Sequence, residues 1–426
     1  MNRTRATKNK NISFFLGIFL LSFAGVASAM TQEELTQEAL YEKVTRHGKL
    51  LEKLERLQSY GDLRLRYEIK DRADDNTNIG DGDAMYDTAR PRYRFRFGAK
   101  AHVLKDIDVV FRLSTGGASS NTSGNQTFGD TFAHDDISLN LAYIKYDAGF
   151  WLKGLTLEGG KTKNPFMSTE VVWDGDVTFE GINQSINWNY RDTKAKIIFA
   201  QYFVEEAARS GNRPNDDVII YGSQIQLSQK TGLGKFKLGA ALYAYDNLQD
   251  HDITNIGPKT AQRNAMNSNR MATDMEIFDL IAEFSTKIGS KKFKVFGEYI
   301  QNINSGVEKI CSYGCATNSI ADDLDTAWQL GVKLANSEKM VKFGDWKMRA
   351  LYRLTQQDAV FAALNDSDFH DSGTNSKGWK IALKAALRKG MTFGYSFFST
   401  ENERGALDGS NYDIPGVHQF DLVMKF

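Results

Sequence analysis

The sequence predicts an all-β fold, a 16-stranded antiparallel transmembrane β-barrel with a short N-terminal periplasmic helix. Three observations predict it. Apolar and charged residues alternate in stretch after stretch, tight and long connections alternate between those stretches, and the last stretch runs to a terminal aromatic residue.

The alternation is plainest in PRYRFRFGAK, residues 91–100. Tyr93, Phe95 and Phe97 fall on one face and Arg92, Arg94 and Arg96 on the other, because successive side chains of a strand point to opposite sides. In a soluble sheet the aromatic face would pack inside and the arginines would meet bulk water. In a membrane barrel the aromatics meet lipid and the arginines a water-filled interior.

The N-terminus narrows the choice. Arg3, Arg5, Lys8 and Lys10 precede the apolar run ISFFLGIFLLSFAGV, which ends at Ala27-Ser28-Ala29. A basic start, a short apolar run and small residues before the cut describe a signal peptide over residues 1–29, cleaved before Met30. The rival is an uncleaved anchor, but the run is shorter than the ~20 residues of a transmembrane helix. With four of 53 basic residues in that segment against 53 acidic ones in the rest, the mature net charge is −4. No overall basic excess points to nucleic acid.

Residues 30–59 change register. Leu40, Val44, Leu51 and Leu54 recur at helical spacing among charges, which predicts one amphipathic helix. Packing on a barrel mouth and self-association both fit it.

From residue 60 to 426 the pattern is strands only. Candidates are 61–72, 91–104, 107–117, 136–148, 155–166, 177–191, 194–206, 218–231, 234–247, 276–289, 291–302, 325–338, 346–360, 376–389, 391–402 and 418–426. Connections after the even strands are mostly tight, as at Lys105-Asp106, Asp192-Thr193, Gly289-Ser290 and Lys389-Gly390. Those after the odd strands are long and polar. Short turns at one end and long loops at the other describe an up-and-down barrel. An even number lets the first strand pair with the last and leaves no edge. Sixteen strands enclose more than side chains can fill, so the lumen is expected to be an aqueous channel. The final HQFDLVMKF places Phe420, Leu422, Met424 and Phe426 on one face, an ending that resembles the C-terminal signature of Gram-negative outer-membrane barrels.

Residues 160–181, GKTKNPFMSTEVVWDGDVTFEG, occupy the third long loop and its flanks. Gly160-Lys161, Asn164-Pro165-Phe166, Trp173-Asp174-Gly175-Asp176 and Glu180-Gly181 look like the corresponding segment of the putative-porin family of Gram-negative outer-membrane proteins. The resemblance implies passive diffusion of small hydrophilic solutes across the outer membrane. It also implies lipid and lipopolysaccharide as surroundings, a homotrimer as is common for porins of this size, and the third loop, about 165–177, as constriction.

By parity, Arg64, Arg66, Arg92, Arg94, Arg96 and Arg112 face the lumen from the first three strands, and Lys380, Lys384 and Arg388 from the fourteenth. Asp174, Asp176 and Glu180 are expected to oppose them from the third loop. Such opposed charges set up a transverse field, and an arginine wall gives a mild anion preference. The alternative is that these charges only solvate the wall and pair with one another.

No G-x-S-x-G, H-E-x-x-H or phosphate loop is present, so no enzyme, cofactor or metal is expected. In the first loop Asp74, Asn76 and Asn78 match the opening of a calcium loop, but Ile79 and Met85 break the pattern. Cys311 and Cys315 are expected to form a disulfide in an exported chain. A second functional reading stays open, a plugged barrel acting as surface adhesin or structural anchor.

Overall fold

The computed structural model describes residues 43–48, 55–74, 88–117, 120–206, 217–252, 264–267, 270–305, 324–404 and 412–426. Sixteen long strands make up nearly all of it. They are β1 (Leu57–Asp74), β2 (Thr88–Leu104), β3 (Ile107–Thr115), β4 (Ile137–Asp147), β5 (Leu155–Lys163), β6 (Thr178–Tyr190), β7 (Thr193–Glu205) and β8 (Val218–Lys230). The second half comprises β9 (Lys235–Asp246), β10 (Glu276–Ile288), β11 (Lys291–Asn302), β12 (Thr326–Ala335), β13 (Trp346–Thr355), β14 (Ser376–Arg388), β15 (Met391–Asn402) and β16 (Tyr412–Lys425). Each pairs antiparallel with its sequence neighbours, and β16 returns to β1 with Leu63 opposite Met424 and Arg66 opposite Asp421. The ring is closed.

Local chemistry accounts for the meander. Two-residue connections join β2 to β3, β6 to β7, β10 to β11 and β14 to β15. Turns this tight need left-handed backbone, supplied by Gly289 at φ 60° and Gly390 at φ 80°. The outward face is apolar around the ring: Leu63, Leu65 and Tyr67 on β1, Ile225 and Leu227 on β8, and Trp379, Ile381 and Leu383 on β14 are all well exposed. Surfaces of that extent are foreign to soluble monomers.

Two ends differ from expectation. β1 begins at Leu57, inside the segment assigned to the N-terminal helix, because β2 runs on to Leu104 and offers Leu57 a partner in Ala101. β16 begins at Tyr412, paired with Asp74 across the extended β1. Residues 43–48 are helical; most of the remaining expected helix and the signal segment lie outside the described residues, as do Cys311, Cys315 and most of the first loop.

The interior is not empty. The third long loop (residues 164–177) and the seventh (356–375) both fold inside. Val171, Val172 and Trp173 of loop 3 pack with Ala359, Phe361 and Leu364 of loop 7 and with Tyr243, Ile277 and Ile300 of the wall.

The seam between the first and last strands is tight. Gly61 donates its N–H to the Phe426 carbonyl at 2.9 Å and accepts from the Phe426 N–H at 3.1 Å. A Cβ on Gly61 would meet the Phe426 ring and the Arg96 carbonyl at 2.6 Å. Gly61→Val is therefore expected to cost about 1–3 kcal/mol by overpacking, read as a lower temperature for the gel-mobility change of the detergent-solubilised barrel. An unchanged transition would show that the seam tolerates a side chain.

Candidate functional site

The strand register sets the inner wall. Arg64 lies opposite Arg94, Arg66 opposite Arg92, and Asp62 opposite Arg96. Like charges directly across a ladder repel, so carboxylates must be interleaved, and they are. Arg94 meets Asp62 at 3.1 Å and both oxygens of Asp176 at 3.0 Å. Arg96 meets Asp62 at 2.8 Å and Asp176 at 3.2 Å. Arg92 faces Glu68 at 3.7 Å. Arg66 forms a two-pronged bond with Asp421, at 2.7 and 3.0 Å, and reaches Asp368 at 3.2 Å. Arg64 and Arg112 bond to Asn125 and Asn140 and have no carboxylate partner among the described residues.

Loop 3 is built to enter the lumen. The Asn164 side chain accepts the Phe166 N–H at 2.8 Å, a local turn that follows from its short amide. Phe166 then packs edge-on against Tyr243 at 5.0 Å. Gln224 on β8 clamps the Met167 backbone through both amide atoms, each at 2.7 Å. Glu298 on β11 accepts the Thr169 N–H at 3.1 Å. Trp173 packs edge-on against Phe179 and Tyr243 at 4.9 and 5.2 Å. Near the end of the loop, Asp176 is held by Arg94 and Arg96 of β2.

Loop 7 is fastened by charge as well. Asp366 meets Arg353 at 3.1 Å and Lys380 at 3.2 Å, Asp368 takes Arg66, and Asp371 takes Lys70. Loops 3 and 7 bond directly: Asp174 N–H to the Leu364 carbonyl and Ser367 N–H to the Asp174 carboxylate, both at 2.8 Å. The second long loop (116–136) joins them, with the Asn121 amide donating to the Ala363 carbonyl at 3.0 Å. The middle of the lumen thus holds a three-loop package.

Its acids divide by environment. Lys380 pulls Glu170 down to about 2 against the effect of burial. Burial opposes ionisation of Asp368, yet Arg66 and Lys380 together hold it below the usual carboxylate range. Burial, reinforced by Asp366, pushes Asp174 well up, and burial raises Asp358 to about 6.

Several sequence-assigned residues lie elsewhere. Asp174 faces loop 7 rather than the arginines. Glu180 sits on β6, pairs with Lys161 and is largely exposed. Arg388 is exposed at the β14 turn, beyond a register shift after Ala386. Lys380 is buried beneath the loops, whereas Lys384 opens onto a cavity of about 790 Å³ on the short-turn side of loop 3. A second cavity of about 620 Å³ lies beside it, between Pro165–Met167 and strands β6–β9.

Sequence reasoning missed the lysines of this side. Lys194, Lys196, Lys235 and Lys237 line the second cavity, and Lys294 and Lys333 the first. The signal was there in Lys235-Phe236-Lys237 and Lys194-Ala195-Lys196, the same alternation that picked out the arginines.

Loop 3 carries the residues by which the sequence resembles a known family. The family described as putative porin matches residues 27–272 and 251–426. The chain belongs to that family. A high-pH structure of OprB from Pseudomonas putida shares the fold at 13% identity and TM-score 0.53, covering 89% of this chain and 97% of that one. Salmonella typhi OmpF in complex with daunomycin also matches, at 10% identity and TM-score 0.46, over 87% and 97%. The outer membrane channel DcaP of Acinetobacter baumannii matches at 14% and 0.43, over 87% and 97%. No curated protein sequence matches. Family and fold suggest a channel rather than an enzyme.

The loop package should respond to pH in both directions. Glu170, depressed in the fold, stabilises above its ordinary 4.5 and loses that contribution as pH falls toward about 2. Asp358, raised in the fold, stabilises below its ordinary 3.8 and loses that contribution as pH rises through about 6. Linkage then gives amide protection in residues 356–375 that is strongest between these limits. Protection factors from hydrogen exchange that stayed flat from pH 3 to 7 would contradict it.

Proposed function

We propose that this barrel spans the outer membrane of a Gram-negative bacterium as a porin, a channel for passive diffusion of small hydrophilic solutes with a mild preference for anions. The apolar outer band supports a lipid surround, and the family supports the channel. In this reading the long loops face outward, the short turns, the chain ends and the N-terminal helix face the periplasm, and the barrels associate as a homotrimer in a lipopolysaccharide-bearing leaflet.

One observation carries the anion preference. The acidic side chains at the larger cavity are already committed: Glu170 to Lys380, Glu283 to Lys294 at 2.8 Å, Asp421 to Arg66, and Asp174 to backbone N–H groups. Cations lining it, Lys163, Lys347, Lys384 and Arg112, have no carboxylate partner among the described residues. The field at the short-turn vestibule is positive, and a narrow aqueous path with low-dielectric walls keeps it effective.

The arginine ladder, expected to supply this preference, acts in this reading mainly as an anchor for loop 3. The alternative, a plugged barrel serving as adhesin or anchor, is favoured by the three-loop package.

Planar bilayers separate the two. Stepwise currents with a reversal potential of anion sign, weakening as salt shortens the ~8 Å screening length of physiological solution, fit the porin. Silence fits the plug. Arg92, Arg94 and Arg96 changed together to Ser should move the potential toward cations, since Asp62 and Asp176 would be left uncompensated. No movement would place the permeation path away from the ladder.

A further inference from the structure

Within the larger cavity, the wall strands bring like charges into direct register. Lys294 lies opposite Lys333, Lys333 opposite Arg349, and Lys347 opposite Lys384. Directly opposed residues have Cβ atoms about 5 Å apart, and like charges there are destabilising. Three of these five have their own carboxylate: Lys294 has Glu283, Lys333 has Glu338 at 2.8 Å, and Arg349 has Glu170 at 3.6 Å. Lys347 and Lys384 have none among the described residues, and Asp421, which faces Lys384 across Gly394 of β15, is held by both prongs of Arg66.

We propose that the half-buried pair Lys347 and Lys384 binds a small doubly charged oxyanion inside the cavity under loop 3. A monoanion between two adjacent ammonium groups leaves one charge unbalanced. A dianion satisfies both and removes their repulsion, and lysine's compact, strongly hydrated charge with three rotatable donors suits an oxyanion that must enter and leave. The space of about 790 Å³ admits such an ion with part of its water. The inference rests on the channel reading for its access route and specifies the solute class that the channel would concentrate.

Radiolabelled inorganic sulfate, a dianion at any working pH, tests it on the full chain in detergent at constant ionic strength. Saturable binding of one sulfate per chain is expected, with acetate a far weaker competitor. Lys347→Gln and Lys384→Gln should each weaken binding by about tenfold, the loss of one charge-assisted contact. Lys384→Arg should retain it, which guards against a folding defect. Lys377→Gln removes one positive charge from the same strand outside the cavity and should leave binding unchanged. Absence of saturable binding, equal effects of acetate and sulfate, or an equal loss in Lys377→Gln would overturn the site. Bilayer currents report separately: conduction without sulfate binding sinks the site and keeps the channel, while sulfate binding with silent bilayers keeps the site and sinks the channel.

Discussion

Sixteen strands closed edge to edge enclose more space than their inward side chains can fill, and the rest of the structure follows from how that space is divided. Closure satisfies the wall's backbone within the ring, so the strands need nothing from the loops. The loops, in contrast, carry backbone polar groups that must find partners wherever they go. Loops 2, 3 and 7 find them in one another, in inward side chains such as Gln224, and in Asn264 of the long connection between β9 and β10, which is bonded to the carbonyls of Gln357 and Val360 at 2.8 Å each. The division is uneven. Toward β7–β12 the space is filled by an apolar core around Trp173, Tyr243 and Phe361. Toward β13, β14 and the β16–β1 seam it is crossed by ion pairs.

Those ion pairs do not stabilise merely by being numerous. Taking two charges out of water costs several kcal/mol per ion, and their attraction offsets it only with good geometry and further hydrogen bonds. Arg353 illustrates the condition. It meets Asp366, lies 4.5 Å over the Phe369 ring, and is almost fully buried. Asp366 in turn accepts from Lys380, which also meets Glu170 at 2.8 Å. Each charge has at least two partners on different elements, so removing one leaves the others exposed to the full cost of burial. The network therefore fixes where loop 7 sits more than it adds to the stability of the ring.

Much of the ring was legible because its cause is local. A period of two needs only neighbouring residues, and two-residue turns declare themselves through Gly289 and Gly390. Loop 3 was legible as a constriction candidate through its motif. Loop 7 was not, since its burial depends on partners far away in sequence: Asp368 reaches Arg66 and Asp371 reaches Lys70. Nothing in the loop's own residues distinguishes an acidic segment solvated outside from one paired inside. Parity likewise placed the arginines on the inner wall but could not say that Asp62, two residues before Arg64 on the same face, would hold Arg94 and Arg96. A charge on a strand has a face by rule and a partner only by register.

The same distinction bears on selectivity. Arginine's planar fork matches a carboxylate in two-point contact and is easily held in a pair, whereas lysine is a mobile, hydrated point charge. In this barrel Arg66 of β1 and Arg92, Arg94 and Arg96 of β2 have taken carboxylate partners, and Arg64 has taken an amide. On the short-turn side the charge is carried mostly by lysines, several without one. A field that acts on a passing solute has to come from charge that nothing in the protein has neutralised. By that criterion, if the channel reading proposed above holds, an anion in the vestibule would be the missing counter-ion of Lys347 and Lys384, and the wall's own repulsion would be part of what draws it in.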